Sequence, residues 1–455
     1  MPFSLSGQSA ATGFYERLTN MKKIPIGLIG LGNIGTGVAK LLHQNEKIIA
    51  ERLGAKLVLK KIADINLKSA RELKLPESML TLNAREIIDD PEISIVIELV
   101  GGYEPARTFV LEAIKNGKHV ITANKAMLAT YGNQIFAAAQ KKGVDVGFEA
   151  SVGGTIPIIK TLKESMAANK FNSIVGIMNG TCNFILTKMT DEGKPFDVVL
   201  QEAQKLGFAE ADPTFDIEGI DTSHKMAIVL SLAYGKKVKL KDIYLEGITK
   251  TSALDIAFAK ELGYRIKLLA IGRLRDGEVE ARIHPTMIPV THLLANVNRN
   301  YNAFHLVGDA SGPVFLFGQG AGMMPTASAV FSDIFDCARN LLKGVSGRVP
   351  SRAISETAME NITMVPMEDL ETKYYFRFSV LDRPGVLSKI SGILGEHNIS
   401  LEAVIQKARE KAGPVPIVMT TYKAREKDVR HALKKIDRLS VVKGKTVLIR
   451  IEDEL

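Results

Sequence analysis

The run Ile24-Pro25-Ile26-Gly27-Leu28-Ile29 leads without a break into Gly30-Leu31-Gly32-Asn33-Ile34-Gly35. The first half is a short apolar run of the kind that forms a buried strand, and residues 34–46 carry helical spacing. The glycines therefore sit where a strand turns into a helix, and there each has its own task. Gly30 permits the tight turn, Gly32 lets the backbone approach a pyrophosphate, and Gly35 lets the helix pack close to the strand. The helix N-terminus then faces the anion. The pattern predicts a dinucleotide site formed by Gly30, Gly32, Asn33, Ile34 and Gly35. The alternative is three glycines that only ease packing.

Working outward, apolar runs at 57–63, 95–98, 119–122 and 144–148 alternate with helical stretches at 84–88, 105–116 and 131–142. Gly117 and Gly143 stand where helix C-caps are expected. This alternation predicts βαβ units over a parallel sheet, an α/β domain covering residues 22–150. Asp64 ends the second strand, where a carboxylate can bond the ribose 2′-hydroxyl of NAD. Lys68 and Arg71 follow it and could reach the 2′-phosphate of NADP, so the coenzyme is NADP or NAD.

Past residue 150 no second glycine fingerprint appears, and helices at 195–206 and 221–234 mix with glycine-marked turns. An α+β domain is expected over 151–317. The segment 318–342 opens with Gly318-Gln319-Gly320-Ala321-Gly322 and becomes a long helix that can return to close the first domain. Residues 343–373, with Pro350 and Pro366, read as a linker. From 374 to 452 the order strand, helix, strand, strand, helix, strand predicts a ferredoxin-like unit. Residues 1–21 read as a flexible extension.

The chain has 455 residues, 46% hydrophobic and 24% charged, which suits several folded domains and excludes a disordered chain. Its net charge of +9 is scattered, and with no tryptophan and no basic stripe among aromatics it points to no nucleic acid. No apolar run is long enough for a membrane span, so no membrane partner is expected. Two cysteines, Cys182 and Cys337, offer neither a disulfide framework nor a zinc site, and a cytoplasmic location fits them best.

Several stretches set polar residues among glycines: Thr122-Ala123-Asn124-Lys125, Glu149-Ala150-Ser151-Val152-Gly153-Gly154, Asn179-Gly180-Thr181, and the run from Gly207 through Glu210 and Asp216 to Lys225. Asp221 and Lys225 are four apart on a helix and can pair, whether in a site or as an ordinary surface ion pair. Taken in order, and with Arg282-Ile283-His284-Pro285, Asn302-Ala303 and Pro325-Thr326-Ala327, these segments resemble the homoserine dehydrogenase family over essentially the whole chain after Met21. The tail, with Asp382-Arg383-Pro384-Gly385-Val386-Leu387 and Gly395-Glu396-His397-Asn398-Ile399-Ser400, resembles an ACT domain, a module that binds amino-acid effectors.

The resemblance implies a Rossmann-type domain, an α+β substrate and dimerisation domain and a C-terminal ACT domain. It further implies NAD(P)-dependent interconversion of L-homoserine and L-aspartate 4-semialdehyde, on the route to threonine and methionine. By position, Lys225 matches the proton donor, Asp221 its carboxylate partner, and Lys125 a lysine beside nicotinamide and substrate. Glu210 and Asp221 match substrate-holding residues, with Asp216, Asn179, Gly180 and Thr181 lining the same pocket. Gly207 and Gly322 match coenzyme-contacting glycines. Glu149, Val152, Gly154 and Ile156 match a monovalent-cation site, for sodium or potassium, made mostly of carbonyls. A homodimer or homotetramer is implied, and threonine is expected to bind where two tails meet, near Gly385 and Asn398.

The chemistry agrees. Hydride addition to an aldehyde puts charge on its oxygen, which a lysine ammonium can stabilise and protonate. Cys182 is expected to pack in the interior, which disfavours a semialdehyde dehydrogenase needing a nucleophilic thiol. His224, pointing away from its neighbour Lys225, is expected at the surface, and His284 and His292 as structural. The remaining alternative is an amino-acid-sensing regulatory protein on an inactive dehydrogenase scaffold, which would have no need of Glu210, Asp221 and Lys225 together.

Overall fold

The computed structural model describes residues 21–406 and 413–455; the leader expected to be a flexible extension lies, up to residue 20, outside the described residues. The chain falls into two compact units. One holds the described residues up to Ala168, with Ala227–Lys239 and Gly318–Asn361; the other holds Asn169–Met226, Leu240–Phe317 and Ile362–Leu455.

In the first unit, β1 (Lys23–Ile29), β2 (Lys56–Ala63), β3 (Leu80–Thr81), β4 (Ile95–Glu98), β5 (His119–Thr122) and β6 (Val146–Gly147) form one sheet in the order β3-β2-β1-β4-β5-β6. All its pairings are parallel. This is the doubly wound order, whose direction reverses between β1 and β4 and opens a crevice at their carboxyl ends. Strand β3 is two residues long and left no pattern in the sequence. The strand expected at 144–148 shrinks to Val146–Gly147, because the Val144 amide donates to Ala139 O at the preceding helix end. That helix runs Lys125–Lys142 and starts six residues before the expected 131, because Asn124 Oδ1 accepts the Met127 amide and caps it. The helix Met323–Leu342 packs on the helix Asn33–Gln44 so closely that a Cβ on Gly37 would lie 2.7 Å from Met323 O. Ala327, Val330, Ile334 and Ala338 of the later helix share a core with Ile26, Leu28 and Val38.

The second unit is built on a sheet of β7 (Phe171–Ile177), β8 (Tyr264–Arg275), β9 (Glu278–Pro289), β10 (Tyr301–Gly308), β11 (Gly312–Gln319), β12 (Glu371–Val380), β13 (Leu401–Gln406), β14 (Val415–Thr421) and β15 (Val447–Ile451), in the order β11-β10-β7-β8-β9-β15-β12-β14-β13. The tail's own strands, β15-β12-β14-β13, carry the helices Val386–Glu396 and Glu426–Ile436 over a core of Tyr374, Phe376, Phe378, Ile390, Val429 and Ile436. The tail does not form a separate sheet. Its last strand runs parallel to β9, with Thr286 opposite Arg450 and Met287 opposite Ile451. Buried charges fasten the seam: Arg282 donates to Glu452 at 2.6 Å, and Asp255 accepts from Arg377 Nε at 2.6 Å and from the Tyr375 hydroxyl at 3.0 Å. Removing one partner of such a pair strands the other in a dry interior.

Lys267, on β8, is another buried charge. Its ammonium donates to Val297 O at 2.6 Å, Asn183 Oδ1 at 3.0 Å and Asn298 Oδ1 at 3.3 Å. Burial, with Arg265 nearby, pulls its pKa down to about 7. Between that value and the ordinary 10.5 the unfolded chain holds the proton more tightly, so stability rises with pH across this window. Urea unfolding of the wild type and Lys267→Met at pH 6.5 and pH 9.5 should therefore show the wild type gaining roughly 1–3 kcal/mol relative to the variant at the higher pH. Parallel pH dependence in the two proteins would contradict the assignment.

Candidate active site

In the second unit the sequence places Asp221 and Lys225 one turn apart on the helix Ile220–Tyr234. They form a buried ion pair, Nζ to Oδ2 at 2.7 Å, with Asp221 2% and Lys225 7% exposed. A surface pair is thereby excluded. The ammonium also donates to Met178 O at 2.7 Å. Met178 ends the turn that leaves β7, and the next residue ties the site together. Asn179 Oδ1 accepts the Cys182 amide at 2.8 Å and caps the helix Gly180–Glu192, while its Nδ2 donates to Asp216 Oδ1 at 2.7 Å and Asp221 Oδ2 at 2.8 Å. The Thr181 hydroxyl lies 2.7 Å from Phe208 O and 3.1 Å from Asp216 Oδ2. Asp216 stands on the short helix Thr214–Ile217, and the adjoining loop is tight: a Cβ on Gly247 would lie 2.4 Å from Ile217 O.

Lys225 thus pairs with Asp221, and Asn179 ties Asp216 to the same cluster, in a largely buried setting. Glu210 is exposed, on the loop before this cluster, and its carbonyl accepts from Gln204 Nε2 at 3.0 Å; no hydrogen bond joins its carboxylate to the cluster among the described residues. Gly207, at φ 75°, follows the helix Phe196–Lys205 on the same loop. Cys182 is buried, and burial with Asp216 and Asp221 nearby pushes its thiol well up, so it offers no nucleophile. His224 is not at the surface as expected. Residues 221–232 of the helix are buried all round, and the His224 ring packs on Phe215 at 5.3 Å. His284 is structural: Arg282 Nη1 lies 2.8 Å from its Nε2, and burial with two arginines nearby holds it neutral. His292 Nδ1 accepts the Leu294 amide at 3.1 Å.

In the first unit the three glycines of the β1 turn have three different surroundings. A Cβ on Gly30, at φ +99°, would strike the Leu99 carbonyl carbon at 2.7 Å, and one on Gly35 would strike Gly30 O at 2.1 Å. On Gly32 it would meet nothing within 4 Å, which leaves the backbone open to a ligand at the helix N-terminus. This fits a pyrophosphate. The Asp64 carboxylate accepts the Leu31 amide, and the Asn66 amide at 2.7 Å, so it fixes the turn as well as standing at the end of β2. Lys68 and Arg71 are exposed just beyond. Lys125 opens its helix at the end of β5, beside a buried network in which Thr122 Oγ1 donates to Glu98 Oε2 at 2.6 Å and Asn124 Nδ2 donates to Gly102 O at 2.7 Å. Burial raises the Glu98 pKa even though the Val100 and Gly101 amides donate to its other oxygen. Gly322, at φ 129°, caps the helix Met323–Leu342.

Glu149, Val152, Gly154 and Ile156 share one buried turn. The Glu149 carboxylate is occupied, accepting the Ile159 amide at 2.8 Å and the Lys160 amide at 2.9 Å, so a cation here would be left with carbonyl oxygens. The Ile156 carbonyl accepts the Ile158 amide at 2.8 Å. In the tail, Gly385 (φ +85°) and Asn398 (φ 58°) flank opposite ends of the helix Val386–Glu396, which is about 16 Å long at 1.5 Å per residue.

Sequence reasoning missed Met178, whose carbonyl carries no side-chain signature, and Glu98, which reads as an ordinary strand end.

Known proteins resemble this chain along most of its length. The family model "Homoserine dehydrogenase, NAD binding domain" matches residues 30–149, "Homoserine dehydrogenase" matches 157–335, and "ACT domain" matches 374–441. The homoserine dehydrogenase of Neisseria gonorrhoeae is 44% identical over 95% of this chain and 99% of its own. A crystal structure of a homoserine dehydrogenase from Thiobacillus denitrificans is 47% identical, with a TM-score of 0.90, covering 95% of this chain and 99% of that one. A hyperthermophilic archaeal homoserine dehydrogenase in complex with NADPH is 26% identical, with a TM-score of 0.60, over 72% of this chain and all of that one. With full-length relatives at this identity, the chain belongs to the homoserine dehydrogenase family, NAD(P)-dependent oxidoreductases, here with a C-terminal ACT domain.

Proposed function

We propose that the chain interconverts L-homoserine and L-aspartate 4-semialdehyde with Lys225 as the proton donor. The observation that carries this reading is the buried Lys225 ammonium, set between Asp221 Oδ2 and Met178 O, each at 2.7 Å. In the reducing direction NAD(P)H, when bound, would supply the hydride and leave as NAD(P)+. As the new C–H bond forms, the carbonyl electrons move onto oxygen, and Lys225 first stabilises that charge and then releases its proton to it. Asp221 and the Met178 carbonyl orient the ammonium, and Asn179 fixes Asp221 in turn. Asp216, Asp221 and Lys225 together carry one net negative charge, which favours a substrate ammonium. Glu210 supplies a further carboxylate for it, and Asn179, Gly180 and Thr181 line the pocket. This reading also gives Lys125 a catalytic and coenzyme-binding role, and Gly207 and Gly322 coenzyme contacts.

The coenzyme sits on Gly30, Gly32, Asn33, Ile34 and Gly35. The NADPH complex of the archaeal relative supports NADP, with Lys68 and Arg71 reaching its 2′-phosphate and Asp64 serving NAD instead. A sodium or potassium ion is held by carbonyls of Glu149, Val152, Gly154 and Ile156. Two copies associate through the face of the edge strand β11, where Phe317 is 54% exposed and stacks on Tyr301 at 5.0 Å. Threonine acts at the tail, and because Gly385 and Asn398 are a helix length apart, one effector touches both only where two tails meet. A cytoplasmic location accords with two free, buried cysteines.

Homoserine oxidation with NADP or NAD tests the reading. The wild type should turn over, and Lys225→Ala should lower kcat by about 10³-fold or more while coenzyme affinity stays within twofold; unchanged turnover would remove Lys225 from the mechanism. The double variant Lys68→Glu/Arg71→Glu should raise KM for NADP by roughly tenfold or more and leave KM for NAD unchanged. Equal effects on both coenzymes would show that these cations do not read the 2′-phosphate.

A further inference from the structure

Asn302 has no part in the site as described, yet it is fully buried and neither end of its carboxamide has a hydrogen-bond partner among the described residues. Buried carboxamides are almost always paired, since an orphaned donor and acceptor destabilise the fold. Where Asn302 stands gives the reason to keep it.

Across four strands of the second unit, Ile283 pairs with Ala270, Ala270 with Gly176, and Gly176 with Phe304. Directly opposed residues share a face, so these four lie in one row on one side of the sheet. A Cβ on Gly219, the residue before the Asp221–Lys225 helix, would lie 3.5 Å from Ile283 Cγ2, so this is the side on which that helix begins. The other side carries the core of Val175, Ile177, Leu269, Ile271 and Ala303. Asn302 alternates with Ala303 and therefore faces the helix side. Along β10, Ala303 opposes Ile177, which sets Asn302 opposite Met178. The run continues in step, because Asn300 O lies 2.8 Å from where a Cβ on Gly180 would be. Opposed α-carbons of antiparallel strands are about 5 Å apart. Asn302 thus lies one residue pair from the carbonyl that holds the Lys225 ammonium.

We propose that Asn302 is a positioning residue for Lys225, its carboxamide taken up only in the substrate-bound arrangement of the Met178–Gly180 turn. The inference rests on the reaction proposed above. In the free enzyme the orphaned amide disfavours the resting turn; when the amino-acid substrate enters, the turn closes onto it, and Asn302 gives its Nδ2 hydrogen to a backbone carbonyl and accepts a backbone amide at Oδ1. The residue lowers resting stability and raises turnover.

Asn302→Leu tests this, because leucine has a similar volume and no polar atoms to strand. Thermal melting of the free variant and steady-state homoserine oxidation are read together. The expected result is a Tm equal to or above that of the wild type, with kcat for homoserine lowered about tenfold or more and KM for the coenzyme within twofold. A kcat within threefold of wild type would overturn the proposal, and so would a Tm that falls together with kcat, which marks a plain structural role. Should the leucine variant not fold, Asn302→Ala is read by the rise in Tm that saturating homoserine and coenzyme produce: loss of at least half of the wild-type rise supports the role, and anything smaller overturns it. A wild type without homoserine turnover would sink the functional reading itself, which this variant leaves untouched when only kcat fails to change.

Discussion

The candidate site in the second unit is organised around the buried Lys225 ammonium. An ammonium taken out of water is tolerated only where oxygens replace its hydration, and Lys225 has Asp221 Oδ2 and Met178 O, each at 2.7 Å. These come from two parts of the chain: the carboxylate from the same helix, the carbonyl from the end of β7. Asn179 ties the junction together, because one carboxamide both caps a helix and bridges two aspartates. The ammonium is thus paired, and held ready for a developing oxyanion, in the free chain.

The coenzyme end rests on a different constraint, the closeness of backbone to backbone. Gly30 and Gly35 are glycines because a side chain would collide with Leu99 or with Gly30 itself, whereas a Cβ on Gly32 would meet no protein atom within 4 Å. Asp64 contributes by holding the turn through the Leu31 amide. The tail shows a third constraint. Its sheet continues that of the substrate-binding part through β9 and β15, and buried pairs such as Arg282 with Glu452 and Asp255 with Arg377 lie along the join. The tail is therefore joined to the rest of its unit through a shared sheet.

What could be read in the sequence was local. The strand, glycine turn and helix at 24–46 form a contiguous pattern, and the Asp221–Lys225 spacing follows from helix geometry alone. Burial of that pair was not legible, since spacing does not say which faces of a helix are covered. The same ignorance put His224 at the surface, when the helix is buried on every side. The bridge from Asn179 to Asp216 and Asp221 spans about forty residues and needs the fold to bring it together. Met178 acts through its backbone, which any residue could supply. The β9–β15 pairing is longer in range still, and a two-residue strand such as β3 carries too few side chains to show an alternation. Asn124 was visible as a polar residue before an apolar run, and its capping bond explains why the helix begins so early.

The central claim is that the Lys225 ammonium meets the oxygen that changes between alcohol and aldehyde. A crystal structure of the enzyme with homoserine and an oxidised coenzyme tests it most directly. The account predicts Lys225 Nζ at hydrogen-bond distance, about 2.7–3.2 Å, from the substrate hydroxyl, with Asp221 still paired to the ammonium. A hydroxyl bound by another group, with Lys225 remaining only on Asp221 and Met178, would contradict it.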